Sequence, residues 1–434
     1  MGKNRFRNVL DKIINIISKL VFMNNLHKKA VLIACVSIAL VGGILVSQDD
    51  NSSGLGSDKA KIGVALPLTS HVGWIAQPVE NIVTLVEAEA ESAGGVNGQK
   101  LEIIVEDTQG EETEAVNSVQ KMINLDEVDG LFGPMLTTAS SASVSIVKDN
   151  QVPMVAPSTT GTEIANISDD GYFYRTVSSE EIAANALAKL ADQRGYENAS
   201  ALVVNDAYGQ SYYKRLDESF NGDINPVFFS EGAVTFRSEL EQARQHDTEV
   251  IFLIGYSESG LKLLRQSYET GVYNEKDWLV GDPILTIDFS EDLGQDENGD
   301  HIMNGLTGVR ANDSQVGPGY DSFNVQYQKY IGEEPPSSPF FEESYDAFAV
   351  LVLAMEASNS LKGSEIRDNI ENVAHSGKKV YSIEQGLNLL QEGTDIEYVG
   401  ASSDIEFDQR GTDISTEYVI STYTNGNITD RPIN

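Results

Sequence analysis

From Lys61 onward the chain alternates short apolar runs with helical stretches, and that alternation leaves few folds open to it. The runs IGVALPL, LEIIVED, GLFGP, VPMVAP, SALVVND, EVIFLIG, DWLVGD and LTGVRA have the length and β-branched content of buried strands. Between them the pattern predicts helices near 79–92, 111–125, 139–149, 180–194, 209–220, 236–246 and 259–270. Strands separated in this way form parallel sheets with helices on both faces, because a parallel return needs a long crossover. These strands outnumber those of one ordinary sheet, and 434 residues exceed one ordinary domain, so two similar lobes are expected. Residues 288–304 read as a loosened loop.

The first return shows the local logic. Apolar residues at 82, 83, 85, 86 and 90 mark an amphipathic helix. Gly94 and Gly95 stop it, since glycine takes a left-handed conformation without a Cβ clash. Asn97-Gly98 then turns the chain into the strand Leu101–Val105, which ends in Glu106 and Asp107.

Ahead of the alternation, Ala30–Ser47 runs for 18 residues without a charge, about the minimum for a membrane span. Lys28 and Lys29 precede it, and Asp49 and Asp50 follow, so the positive-inside rule keeps the start in the cytoplasm and exports the rest. The expected order is a basic cytoplasmic segment 1–29, a transmembrane anchor or signal segment 30–47, and a linker 48–59. Leu32–Cys35 resembles a lipobox, although five apolar residues before Cys35 are fewer than a signal core usually has. Residues 6–22 have the spacing of an in-plane membrane helix; the alternative is a start at Met23.

The charge excludes whole classes of partner. Thirty basic residues against 66 acidic ones give −36, and beyond residue 50 the balance is −40. Such a polyanion repels nucleic acid and anionic lipid, so neither partners the main body. The acids read as a coat that keeps the surface soluble in high salt, with an acidic binding face as the alternative.

Catalytic patterns are sparse. There is no P-loop and no dinucleotide fingerprint, and His27, His71, His246, His301 and His375 lack metal-ligand spacing. Asp296–Asp300 imitates part of a calcium loop, but glycines fall at its first and twelfth positions. Gly255-Tyr256-Ser257-Glu258-Ser259 follows a strand and precedes a helix, as a hydrolase nucleophile elbow does. Ser259 stands where the elbow needs glycine, so a serine hydrolase built on Ser257 with His301 or His375 is the weaker alternative.

Hydroxyls do recur at strand ends. Leu136–Ser140 follows GLFGP, and Ser158–Gly161 follows VPMVAP. Hydroxyls and N–H groups there point into the crevice at the carboxyl ends of parallel strands. Either loop alone is explained by helix capping; two adjacent ones describe a binding cleft better.

IGVALPLT, AGGVNGQKLEIIVED, LFGP, VPMVAPSTT, YRTVSS, VVNDAYGQS and GLTGVRA occur in the order found in the branched-chain amino-acid binding proteins. The chain resembles that family from about 60 to 425. The resemblance implies the type I periplasmic binding protein fold, α/β with two Rossmann-like lobes joined by a three-crossover hinge. Crossovers are expected near Arg175-Thr176, Gly308-Val309 and Ala401–Asp404. Lobe 1 would hold 60–175 and 309–400, and lobe 2 would hold 176–308 and 401–434.

The implied function is an extracytoplasmic solute-binding protein of an ABC importer, with permease subunits as partners, no cofactor and no reaction. Its ligand would be an amino acid, an amide or a related small zwitterion; a sensory receptor of the same fold is the alternative. By the same resemblance Thr137, Ser158 and Thr160 hold the ligand's α-carboxylate and α-ammonium. Tyr208 and Tyr256 close from the second lobe, and Asp282 pairs the ammonium. Trp74 stands near an aromatic of the family and is either a wall of the pocket or packed core.

Overall fold

β1 (Lys59–Leu66) and β2 (Lys100–Asp107) lie parallel, in register from Lys59–Lys100 to Leu66–Asp107, with the helix Val79–Ser92 between them. This computed structural model describes residues 59–245, 247–285, 293–296, 298–312 and 316–433. The expected segment 1–29, the anchor 30–47 and all of the linker except Lys59 lie outside the described residues. Among the described residues no helix is long and apolar enough to cross a membrane. The β1–β2 return is as tight as its glycines suggest. Gly95 has φ 95°, and a Cβ there would stand 2.2 Å from the Gln99 carbonyl oxygen. Asn97 anchors the turn by donating to the Met355 carbonyl at 2.8 Å.

β3 (Gly130–Phe132), β4 (Met154–Ala156) and β5 (Phe173–Arg175) complete a parallel sheet of order β2-β1-β3-β4-β5. The second sheet contains β6 (Asn198–Val204), β7 (Asp223–Phe229), β8 (Val250–Ile254), β9 (Asp277–Val280) and β10 (Thr307–Ala311). β11 (Lys378–Val380) and β12 (Ile396–Tyr398) pair apart from both sheets. β13 (Tyr418–Thr424) and β14 (Asn427–Pro432) return to the second sheet, whose order is β14-β13-β10-β9-β8-β6-β7. Its last two strands are antiparallel, unlike the rest. Asn425 (φ 52°) and Gly426 (φ 81°) supply the two left-handed residues of a tight hairpin there.

Each sheet has its own core. The first is filled by the helix Phe341–Ala357, buried on every side from Ser344 to Met355, with Phe348 stacked 4.1 Å from Phe132. Two carboxyls lie inside it. Tyr345 donates to Glu89 at 2.6 Å, and Asp346 accepts from Tyr398, Ala401 N–H and Ser402. Burial raises Glu89 to about 7 and Asp346 to about 6. The second core packs β6, β8 and β9 against the alanine-rich helix Glu180–Arg194. That helix begins at Ser179, which accepts from Glu181 N–H, and ends at Gly195 in the left-handed conformation.

The chain leaves the first sheet at Arg175. β10 pairs along its length within the second sheet, so a boundary at 308–309 falls inside an element. Ile405 and Phe407 still pack in the first core, while Tyr418 and Ile420 pack in the second. The chain thus changes sheets again between Ala311, paired in the second sheet, and Phe323, packed in the first core, and a third time between Phe407 and Tyr418. Arg175 N–H donates to the Gly411 carbonyl and Asp413 N–H to the Arg175 carbonyl, so two passages run side by side.

Candidate ligand-binding site

In open α/β sheets the crevice opens where the strand order reverses, at the strands' carboxyl ends. The first sheet reverses between β1 and β3 and the second between β6 and β8. The loops that leave these strands meet: the His71 ring, after β1, lies 5.0 Å from the Tyr256 ring, after β8. The two reversal points therefore face each other across one cleft. Burial lowers the pKa of His71, although Asp206 opposes it.

On the first-sheet side the two hydroxyl loops interlock. Gly161 N–H donates to Thr137 Oγ1 at 3.2 Å, and a Cβ on Gly161 would stand 2.3 Å from Thr137 Cγ2. Ser158 donates to the Met135 carbonyl at 2.8 Å, and Ser140 shares a hydrogen bond with Thr159 at 2.7 Å. Arg175 holds the loop from beneath. Its Nη1 donates to the Thr159 and Gly161 carbonyls at 2.9 and 3.0 Å, and its Nε to Thr412 Oγ1 at 3.0 Å. Burial lowers this guanidinium to about 10, still charged at neutral pH.

On the second-sheet side Asp206 accepts from Gly209 N–H at 2.9 Å, starting the helix Ala207–Ser219, and from the Tyr256 hydroxyl at 2.7 Å. Tyr208 lies on the first turn of that helix, its ring 5.5 Å from Tyr256 and 6.0 Å from Tyr212. The hydroxyls of Tyr208 and Tyr212 are buried and have no hydrogen-bond partner among the described residues. Asp282 accepts from Ala311 N–H at 3.1 Å.

Glu180 joins the two sides. It accepts from Thr160 Oγ1 at 3.0 Å, from Thr162 N–H at 3.2 Å and from Ser211, while its own N–H donates to the Thr160 carbonyl. Burial raises it to about 7. Further out, Lys214 pairs with Glu163 at 2.6 Å between exposed side chains.

The structure thus brings Thr137, Ser158 and Thr160 together in one loop pair, and Tyr208 and Tyr256 together opposite it, with Asp282 following β9 in the same sheet. Trp74 is not packed core: it is 43% exposed. Glu180, Arg175 and Tyr212 carried no sequence signal for a role here; an acid in a first helical turn or a tyrosine within a helix is ordinary. Ser257 donates to the Pro283 carbonyl, and no described histidine hydrogen-bonds to it, so the elbow is not assembled. Among the described residues no three His, Cys, Asp or Glu side chains are placed to hold a metal ion.

Because the Thr160 hydroxyl serves Glu180, Thr160→Ala is expected to lower stability by about 1–2 kcal/mol. Melting curves at constant pH check this, and an unchanged midpoint would mean that the bond contributes nothing.

Residues 59–380 match the family model described as periplasmic binding protein. The chain is 23% identical over 387 residues to the chemotactic signal transduction system substrate-binding protein BasB of Halobacterium salinarum, covering 86% of this chain and 89% of that one. It is also 23% identical to a Leu/Ile/Val-binding protein of Rhizobium johnstonii, covering 74% and 86% of the two chains. Among solved structures, a leucine binding protein from Thermotoga maritima superposes with a TM-score of 0.70 at 22% identity, covering 86% of this chain and 97% of its own. A solute binding protein of an ABC transporter from Rhodopseudomonas palustris, in complex with 3,4-dihydroxybenzoic acid, superposes at 0.68 with 16% identity over 87% of this chain and 97% of its own.

Proposed function

The chain belongs to the periplasmic binding protein family, and from that membership we propose that it captures an amino acid or related small zwitterion outside the membrane and delivers it to an ABC importer. The observation that carries this reading is the closed cleft. Loops from both sheets meet at His71–Tyr256 and Thr160–Glu180, near tyrosine hydroxyls that no described residue satisfies. A buried hydroxyl without a partner is costly, and a ligand's polar groups remove that cost when the lobes shut on it. Backbone N–H groups at the start of the helix Thr137–Asn150 and the Arg175-held loop suit a carboxylate, and Asp282 suits an ammonium. The chain carries out no reaction in this scheme.

Calorimetric titration of the full chain against amino acids, amides and small organic acids tests it. One ligand per chain is expected, with no ester hydrolysis. Esterase turnover that disappears in Ser257→Ala would replace this reading with a hydrolase.

A sensory role is the second reading, favoured by the similarity to a chemotactic substrate-binding protein along most of both chains. Uptake of a labelled ligand separates the two: loss of uptake on deleting the gene supports transport, and intact uptake with lost attraction supports sensing.

A further inference from the structure

We propose that the cleft selects an amino acid with a neutral hydrogen-bonding side chain, an amide or a hydroxyl, which His71 and Tyr208 receive from opposite lobes. This rests on the reading of the cleft as an amino-acid site and specifies the ligand within it.

His71 is presented by a loop with little freedom. Thr69 donates to Asp107 at 2.7 Å and Ser70 to the Pro67 carbonyl at 2.8 Å, while Val72 N–H donates to Ser70 Oγ at 3.2 Å. A Cβ on Gly110 would stand 2.6 Å from that of Ser70, and one on Gly73 would stand 2.5 Å from the Leu68 carbonyl oxygen. Glycine is what lets the chain pass so close at both points. The loop thereby holds the imidazole 5.0 Å from the Tyr256 ring of the other lobe. There Nε2 is buried and has no hydrogen-bond partner among the described residues. The Tyr256 hydroxyl does not supply one, since its proton goes to Asp206 at 2.7 Å.

Tyr208 repeats this situation on the second-lobe side. Its ring lies 5.5 Å from Tyr256, and its hydroxyl is likewise buried without a described partner. Two unsatisfied polar atoms, one from each lobe, therefore accompany a single ring. In the first sheet β1 is the neighbour of β3, so the His71 loop lies beside the loop that carries Thr137. A ligand whose α-groups rest on the hydroxyl loops turns its side chain toward His71 and Tyr256. Burial lowers the pKa of the imidazole, which is uncharged at neutral pH. A neutral imidazole and a phenol both donate and accept, as an amide or a hydroxyl does. Asp206, bonded to Tyr256, repels an anionic side chain. An aliphatic one leaves both polar atoms stranded once the lobes shut, and a site built for hydrogen bonds rejects it strongly.

Calorimetric titration of the full chain with L-glutamine, L-threonine, L-glutamate and L-leucine decides the matter. Glutamine or threonine is expected to bind roughly tenfold or more tightly than leucine and glutamate. His71→Phe keeps a ring against Tyr256 but removes the nitrogen, and should shrink the ratio to leucine by roughly tenfold. His71→Gln, which restores a polar atom near Nε2, should recover part of it, and Tyr208→Phe should shrink it independently. Melting curves show which variants are folded, and the two positions guard against misfolding at either. Equal or tighter binding of leucine or glutamate, or a ratio that the folded Phe variants leave unchanged, overturns this inference while the amino-acid reading stands. Binding of none of the four overturns both.

Discussion

Replacing Arg175 with alanine is expected to cost about 3–5 kcal/mol of stability, the largest loss from any single change near the cleft. The side chain is 1% exposed, so its removal opens a cavity that the packed surroundings fill only in part. It also strands the Thr159 and Gly161 carbonyls and the Thr412 hydroxyl, all buried acceptors of its protons. Each such group left unsatisfied costs about 1–3 kcal/mol. Two of the three belong to the loop that carries Ser158 and Thr160, so binding should weaken along with folding. Arg175→Lys keeps the charge but has no planar fork to reach two carbonyls and a hydroxyl together, and should recover only part of the loss. Denaturant titration of the three proteins gives the answer, and a midpoint for Arg175→Ala equal to that of the unaltered chain would show that the loop is held elsewhere.

Stability is also expected to fall as pH rises from about 5 to about 8, the reverse of ordinary acid denaturation. Burial raises Glu89 and Glu180 to about 7 and Asp346 to about 6. A carboxyl whose pKa is higher in the folded state holds its proton more tightly there. Its contribution is therefore complete below the unfolded value, near 4, and is lost as pH climbs through the folded one. Each tenfold gain in proton affinity on folding is worth about 1.4 kcal/mol, so each of the three contributes on the order of 3 kcal/mol across that window. Glu102, held low by its bond to Lys59, acts in the opposite sense and only in more acid solution. Melting points at several pH values test the slope. Glu89→Gln should flatten part of it, and a melting point that climbs steadily from pH 5 to 8 would contradict the assignment.

The strands legible from apolar runs lie in the sheets, because a strand covered on both faces must be apolar along its length. Regions that follow other rules escaped. The helix Phe341–Ala357 is apolar nearly all round, so it has no amphipathic period to detect. The hairpin at Asn425-Gly426 did carry a signal, its turn pair, which the alternating pattern upstream obscured. In the cleft, hydroxyl loops at strand ends were readable because strand polarity alone fixes where such loops point. Glu180 was not readable, since its meaning depends on Thr160 and Thr162 reaching it from the other side. Nor could the pattern show that Arg175 would reach Thr412, 237 residues further on.

The helix Phe341–Ala357 also governs when the protein can fold. It fills a sheet whose strands all lie before residue 176, and Tyr345 meets Glu89 across 256 residues. While the chain is still emerging from the ribosome, those five strands exist without the element that covers them. The second sheet likewise waits for β13, which pairs with β10 only after Tyr418 has been made. Neither half can therefore mature first and serve as a template for the other. Contacts of such long separation slow folding, and they keep the nascent polypeptide open and threadable until nearly all of it has been synthesised.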